Sequence, residues 1–196
     1  MNDWSDLLIQ SRKDYLTFRK ADCLSMGMTQ RKISRFTNSI YIFEVRLRKL
    51  EYAINCSKNP LRKTLRRFLY RKISIQLGYS IPPNTFGPGL SIAHRGTIVV
   101  NGGSRIGANC RIHVGVNIGT EAGETDSAPI IGDNCYIGPG AKIFGPITVG
   151  SGSVIGANAV VNKSFRSGHQ TIAGVPASVI SNKSSKGLLI LGYQAD

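Results

Sequence analysis

Residues 131–161 read IGDNCYIGPGAKIFGPITVGSGSVIGANAVV, and the spacing of their aliphatic residues decides the fold. Ile131, Ile137, Ile143, Val149, Ile155 and Val161 stand six apart. An α-helix repeats its apolar face every three to four residues and a half-buried strand every two, so a period of six fits neither. It is the signature of a β-solenoid, in which short strands stack coil upon coil. Glycine follows the aliphatic residue at 132, 138, 150 and 156, and four positions beyond it stand Cys135, Ala141, Ile147, Ser153 and Ala159. The aliphatic residue is expected to point inward and the small or β-branched one to share the interior. Glycine is expected to take the corner conformations that a β-carbon penalises.

The same step runs backward along the chain. Ile106, Ile112 and Ile118 precede an interruption at 119–130, and Phe86, Ile92 and Ile98 precede a two-residue slip. These twelve hexads place a solenoid over residues 81–180, followed by a tail at 181–196 whose GLLILGY is apolar enough to pack on a neighbour.

Upstream of Ile81 the period changes. Ile40, Phe43, Leu47, Leu50 and Ile54 recur at three- and four-residue steps, which is helical spacing. Asn59-Pro60 supplies an N-cap and a proline suited to the first helical position. In the following LRKTLRRFLYRKISI, Leu61, Leu65, Phe68 and Leu69 share one side, while Arg62, Lys63, Arg66, Arg67 and Arg71 lie on the other. Residues 1–20 also read as helical, and Gly78 to Pro83 closes this part. Residues 1–80 are therefore expected to form a basic α-helical domain.

The net charge of +14 belongs mostly to that domain: 17 Lys/Arg against 6 Asp/Glu up to residue 80, then 8 against 5. An anionic membrane surface or an acidic polymer suits such a face. Nucleic acid does not, because no helix-turn-helix, RNP aromatics or zinc-finger spacing accompanies the charge. No run of 18 apolar residues appears, and MNDWSDLLIQSRKDY lacks the plan of a signal peptide. Cys23, Cys56, Cys110 and Cys135 have no metal-type spacing, which suits free thiols in a reducing cytosol. The expected location is cytoplasmic, with peripheral contact at the inner membrane face through the basic helices.

One histidine stands inside the scaffold, His94 in GLSIAHRGTIVVNGG, residues 89–103. Taken alone it is either a hydrogen-bonded bystander or the chemistry that the scaffold holds. GPGLSIAHRGTIVVNGGSRIGANCRIHVGVNIGT, IGANAVVNKSF and TIAGVPASVI are similar to the hexapeptide-repeat acyltransferases, in particular their serine O-acetyltransferase branch. The resemblance covers about residues 80–180. It implies an α+β chain, a helical N-terminal domain followed by a left-handed parallel β-helix. It also implies a homotrimer or a dimer of trimers, with acetyl-CoA as co-substrate in a groove between neighbouring β-helices and no metal. His94 matches the family's catalytic histidine. A base with a pKa near neutrality suits proton transfer from an alcohol and back to a thiolate. Gly119, Gly138, Ala157, Lys163, Ala173 and Pro176 match the CoA-binding end.

Two departures concern the acceptor. The family's aspartate before the histidine is Ala93 here, and the loop GTEAGETDSAPI has Glu121, Glu124 and Asp126 but no histidine. They direct the expectation to a sugar hydroxyl of a capsular or surface polysaccharide, with L-serine as the alternative acceptor. His113, one step past the inward Ile112, is expected to face outward; it and the loop residues Glu121 and Glu124 are the candidate acceptor contacts. Cys110 and Cys135 fall at interior positions and read as packing, and His169 lies in a loop with no assigned chemistry.

Overall fold

A computed structural model describes residues 7–28, 37–125 and 127–194. Among them three α-helices precede the strands: α1 (Arg12–Ser25), α2 (Ser39–Cys56) and α3 (Pro60–Leu77). The sequence dictates their ends. The Ser11 hydroxyl accepts from Asp14 N, Asn38 caps α2 by accepting from Ile40 N and Tyr41 N, and Asn59 accepts from Arg62 N. Gly78 closes α3 in the left-handed conformation at φ 76°. The helical reading of residues 1–20 holds from Arg12, while residues 1–6 lie outside the described residues.

The strands are two to five residues long and form three sides. Side one holds β1 (Tyr79–Ser80), β3 (Ile98–Val100), β6 (Asn117–Gly119), β9 (Lys142–Phe144) and β12 (Val160–Val161). Side two holds β4 (Arg105–Ile106), β7 (Ile130–Ile131) and β10 (Thr148–Val149), extended by bridges at Phe86 and Phe165. Side three holds β2 (Ser91–Ile92), β5 (Arg111–Ile112), β8 (Tyr136–Ile137), β11 (Val154–Ile155), β13 (Thr171–Gly174) and β14 (Ala177–Ser181). Every pairing is parallel except the closing β13–β14 hairpin. The chain thus visits one, two and three in rotation, a three-sided parallel solenoid. Its first strand begins at Tyr79, two residues ahead of the expected solenoid.

The registers stack Ile92 on Ile112, Ile137, Ile155 and Ile172, so the six-residue step becomes a column of aliphatic side chains. Phe86 and all the aliphatic hexad residues are buried, as are Cys110, Cys135 and the other small interior residues. The corner reading needs correction. Residues three past the inward position, among them Gly89, Asn109, Gly115, Asn134, Gly140, Gly152 and Asn158, take positive φ. The glycines that directly follow it do not. Those answer to close coil stacking instead: a β-carbon at Gly132 would lie 2.6 Å from Ser151 N.

Helices and solenoid share one core, in which Phe43 and Leu47 of α2 and Ile73 and Leu77 of α3 join the interior column. α3 packs through Ile73, Ser74 and Leu77, whereas Leu61, Leu65 and Phe68 face solvent. The apolar side singled out in the sequence is therefore the outer one.

Beneath α2 lies a charged joint. Arg48 is fully buried, with Nε 2.8 Å from Asp22 Oδ2 and a terminal nitrogen 3.0 Å from Glu51 Oε2. Its terminal nitrogens also donate to the carbonyls of Phe86 (2.9 Å) and Gly87 (2.7 Å). Asp22 accepts from Gly89 N and Leu90 N, and Glu51 from Asn84 N. Burial works against the guanidinium's charge, but Asp22 and Glu51 outweigh it and hold its pKa above the ordinary value. The tail folds back on its own chain: Gly192 N and Tyr193 N donate to Asn109 Oδ1, and Gly192 N also to the Ser25 hydroxyl.

Candidate active site

His94 lies between β2 and β3, with its side chain exposed on a loop held from several directions. Ala93 N donates to Ile112 O (3.1 Å), Gly96 N to Leu77 O (3.2 Å) and Ile98 N to Gly78 O (3.1 Å). The Tyr79 hydroxyl donates to the carbonyl of His94 itself at 2.8 Å. Burial raises the pKa of Tyr79, so the phenol keeps the proton that this bond needs. The turn requires Gly96: its φ is 127°, and a β-carbon there would stand 2.5 Å from Val114 Cγ2. From the helical side, Glu44 Oε1 accepts from Ile92 N at 3.3 Å. Burial, aided by Asp22, pushes the Glu44 carboxyl well above the usual carboxylate range. The loop of His94 is therefore seated on α2, α3 and the next coil, with His94, Arg95 and Thr97 exposed.

The neighbouring coil supplies a second imidazole. The His94 and His113 ring centres lie 6.4 Å apart, and the Tyr136 ring lies 4.8 Å beyond His113. His113 was expected to face outward; it is 8% exposed, enclosed between coils. Its Nδ1 lies 2.9 Å from Ile137 O, and a carbonyl only accepts, so Nδ1 carries the proton. Nε2 then presents a lone pair to the Tyr136 hydroxyl at 3.3 Å. Burial lowers the pKa of His113, with Arg111 and His94 adding to it and the Ile137 bond opposing. A lowered folded-state pKa gives stability that is present above the unfolded value, about 6.5, and lost as pH falls through the folded one. The melting-temperature advantage of wild type over His113→Asn is accordingly expected to shrink as pH drops below about 6.5. A constant difference from pH 8 to 5 in calorimetric scans contradicts this.

The other sequence-predicted residues fall into two groups. Gly138 and Ala157 follow side-three strands, at the edge where Ala93, His94 and His113 also lie, Ala173 lies within β13, and Pro176 lies in the β13–β14 turn of that side. Ala157 and Pro176 are exposed and Gly138 is buried. Gly119 instead ends the side-one strand β6, and Glu121, Glu124 and Lys163 follow side-one strands, at a different edge of the prism. Lys163 is exposed with Nζ 5.7 Å from the Phe165 ring centre, and Glu121 and Glu124 are exposed in their loop. Asp126 lies outside the described residues. Within one chain, His94 and the acidic loop thus belong to different edges. Sequence reasoning missed Tyr79, Glu44 and Tyr136. Tyr79 sits in the strand that opens the solenoid and Tyr136 at an outward hexad position, where the period carries no signal. Glu44 lies between Phe43 and Leu47 on α2, where the helical period marks only the apolar neighbours.

Cys110 donates to the carbonyls of Ala108 and Gly132, and burial pushes its thiol pKa well up, so it packs rather than reacts. Among the described residues no group of three or more His, Cys, Asp or Glu is placed to hold a metal.

The family described as bacterial transferase hexapeptide (six repeats) matches residues 128–163. The serine acetyltransferase of Buchnera aphidicola is 38% identical over 132 residues, 65% of this chain and 47% of that protein. The chain spans about half the length of the curated relatives it matches. The structure of serine acetyltransferase from Brucella abortus superposes with a TM-score of 0.68 at 28% identity, covering 93% of this chain and 75% of that one. The Brucella abortus enzyme in complex with coenzyme A superposes with a TM-score of 0.65 at 26% identity, covering 88% and 68%. These names overturn the expected polysaccharide acceptor, since the similar proteins are serine acetyltransferases. That expectation rested on Ala93 and one loop without histidine, two local differences within a similarity of more than a hundred residues. The chain is thus similar to the hexapeptide-repeat acyltransferases, and among them to the serine acetyltransferases.

Proposed function

We propose that the protein transfers the acetyl group of acetyl-CoA to the hydroxyl of L-serine, with His94 as general base. The observation that carries the reading is an exposed imidazole on a loop held by backbone bonds, within a motif that resembles that of the serine O-acetyltransferases. His94 takes the serine hydroxyl proton as the oxygen attacks the thioester carbonyl. The carbon–sulfur bond then breaks, and the imidazolium returns the proton to the departing thiolate. Atoms and charge balance without a covalent enzyme intermediate. The loop's backbone bonds and the Tyr79 hydroxyl fix the backbone that carries the histidine, and so place its Cα without an aspartate at position 93. The neutral His113 and the Tyr136 hydroxyl border the serine position.

The solenoid is inferred to be left-handed and to assemble as a trimer, with acetyl-CoA between two prisms. Gly138, Ala157, Ala173 and Pro176 suit the thin pantetheine arm, for they offer backbone and small side chains rather than bulk or charge. Lys163 suits a CoA phosphate. Because Gly119, Lys163, Glu121 and Glu124 sit at another edge, they belong to the site as contributions of the adjacent protomer. Glu121 and Glu124 from that protomer complement the ammonium group of serine. CoA-thiol release from acetyl-CoA is expected to depend on L-serine and to saturate with it. Binding of acetyl-CoA with no serine-dependent release contradicts the reading.

A further inference from the structure

α3 presents two opposite faces. Ile73, Ser74 and Leu77 pack inward. The helical turn places Leu61, Leu65, Phe68 and Ile75 on the opposite side, with Lys72 in the same line. They are 79, 54, 65 and 71% exposed, a large apolar stripe to leave in water. Arg62 flanks the stripe on one side and Arg67 and Arg71 on the other, Arg66 stands one turn beyond Arg62 and nearer the inner face, and α3 contains no Asp or Glu. Beside Arg62 and Arg66 opens a cavity of about 380 Å³ lined by Arg12, Tyr15, Lys49, Tyr52, Arg62 and Arg66, four cations and two tyrosines with no acid. Burial lowers the pKa of Lys49, and so do Arg66, Arg19 and Arg46, the mark of a positive field without a counter-charge.

We propose that this face docks on an anionic phospholipid bilayer, the α3 stripe entering the headgroup–acyl boundary and the basic cavity receiving a lipid phosphate. An apolar stripe bordered by arginines on both flanks is the arrangement of a helix lying in a membrane interface. A second copy of the chain would cover the stripe only by bringing arginines against arginines. A nucleic acid would satisfy the arginines and leave Leu61, Leu65, Phe68 and Ile75 without an apolar partner. The lipid surface satisfies both sets.

The test is sedimentation of the full chain with vesicles of phosphatidylcholine alone and of phosphatidylcholine mixed with phosphatidylglycerol. The protein is expected to sediment with the mixed vesicles only, and salt is expected to release it. Arg62→Gln with Arg66→Gln is expected to weaken binding by ~10–30-fold. Leu65→Gln with Phe68→Gln, at exposed positions outside the core, is expected to weaken it by at least ~10-fold at constant salt. No sedimentation with mixed vesicles overturns the proposal, as does full binding by the Leu65/Phe68 variant. A drop in solution mass for that variant assigns the face to a second copy. Tight binding of a short RNA, indifferent to Leu65 and Phe68, assigns it to nucleic acid. Either result overturns the lipid assignment.

Discussion

Replacing His94 by alanine is expected to lower kcat with acetyl-CoA and L-serine by ~10²–10⁴-fold, leaving acetyl-CoA affinity nearly unchanged. The size follows from what a positioned base contributes when it removes a proton as the new bond forms. The selectivity follows from position. His94 projects from a loop whose backbone bonds to Ile112, Leu77, Gly78 and Tyr79 involve no atom of the imidazole. Its removal therefore leaves the loop and the small-residue column of Gly138, Ala157 and Ala173 in place. Steady-state kinetics, paired with calorimetric titration of acetyl-CoA, separate the two effects. Near-normal turnover in the variant removes His94 from the mechanism.

Arg48→Leu is expected to destabilise the protein by ~3–5 kcal/mol, lowering the melting temperature by about 10 °C or more. The cause is what stays behind. Asp22 and Glu51 are 2% and 1% exposed, and without the guanidinium they are two buried carboxyls of one sign beside each other. The carbonyls of Phe86 and Gly87 lose their donors as well. Lysine is no substitute, for a single ammonium lacks the planar fork that reaches two carboxylates and two carbonyls together. Neutralising Arg48, Asp22 and Glu51 together is expected to cost less than Arg48→Leu alone, since no unpaired charge then remains. Equal melting temperatures for wild type and Arg48→Leu contradict this account of how helices and solenoid are joined.

The parts of the fold legible in the sequence are those where one physical demand repeats. Each inward position of the solenoid meets the same neighbours one coil above and below, so Ile131, Ile137 and Ile143 stand out by recurrence alone. The joint at Arg48 occurs once and has no period. On a helix, Asp22, Arg48 and Glu51 look like surface charges until the first coil is laid against them. The same limit governs α3, where Leu61 to Phe68 form a clearer apolar side than Ile73 and Leu77, yet it is the latter that meet α2 and β1. At the site, His94 is singled out by its motif. Tyr79 is not, because the bond that matters runs from a strand fifteen residues earlier to a backbone carbonyl.

The acceptor shows how local evidence misleads. Ala93 and a histidine-free loop suggested a sugar, because both depart from the serine O-acetyltransferase pattern where the acceptor binds. The loop of His94 is held through its backbone, and Glu121 and Glu124 give the interrupting loop a charge that complements an amino acid's ammonium group.

The most direct test of the central claim is proton NMR of the products formed from acetyl-CoA and L-serine. The account predicts O-acetyl-L-serine in step with free CoA, and loss of both in His94→Ala. Unchanged serine, with a protein that binds acetyl-CoA and remains folded, would contradict it.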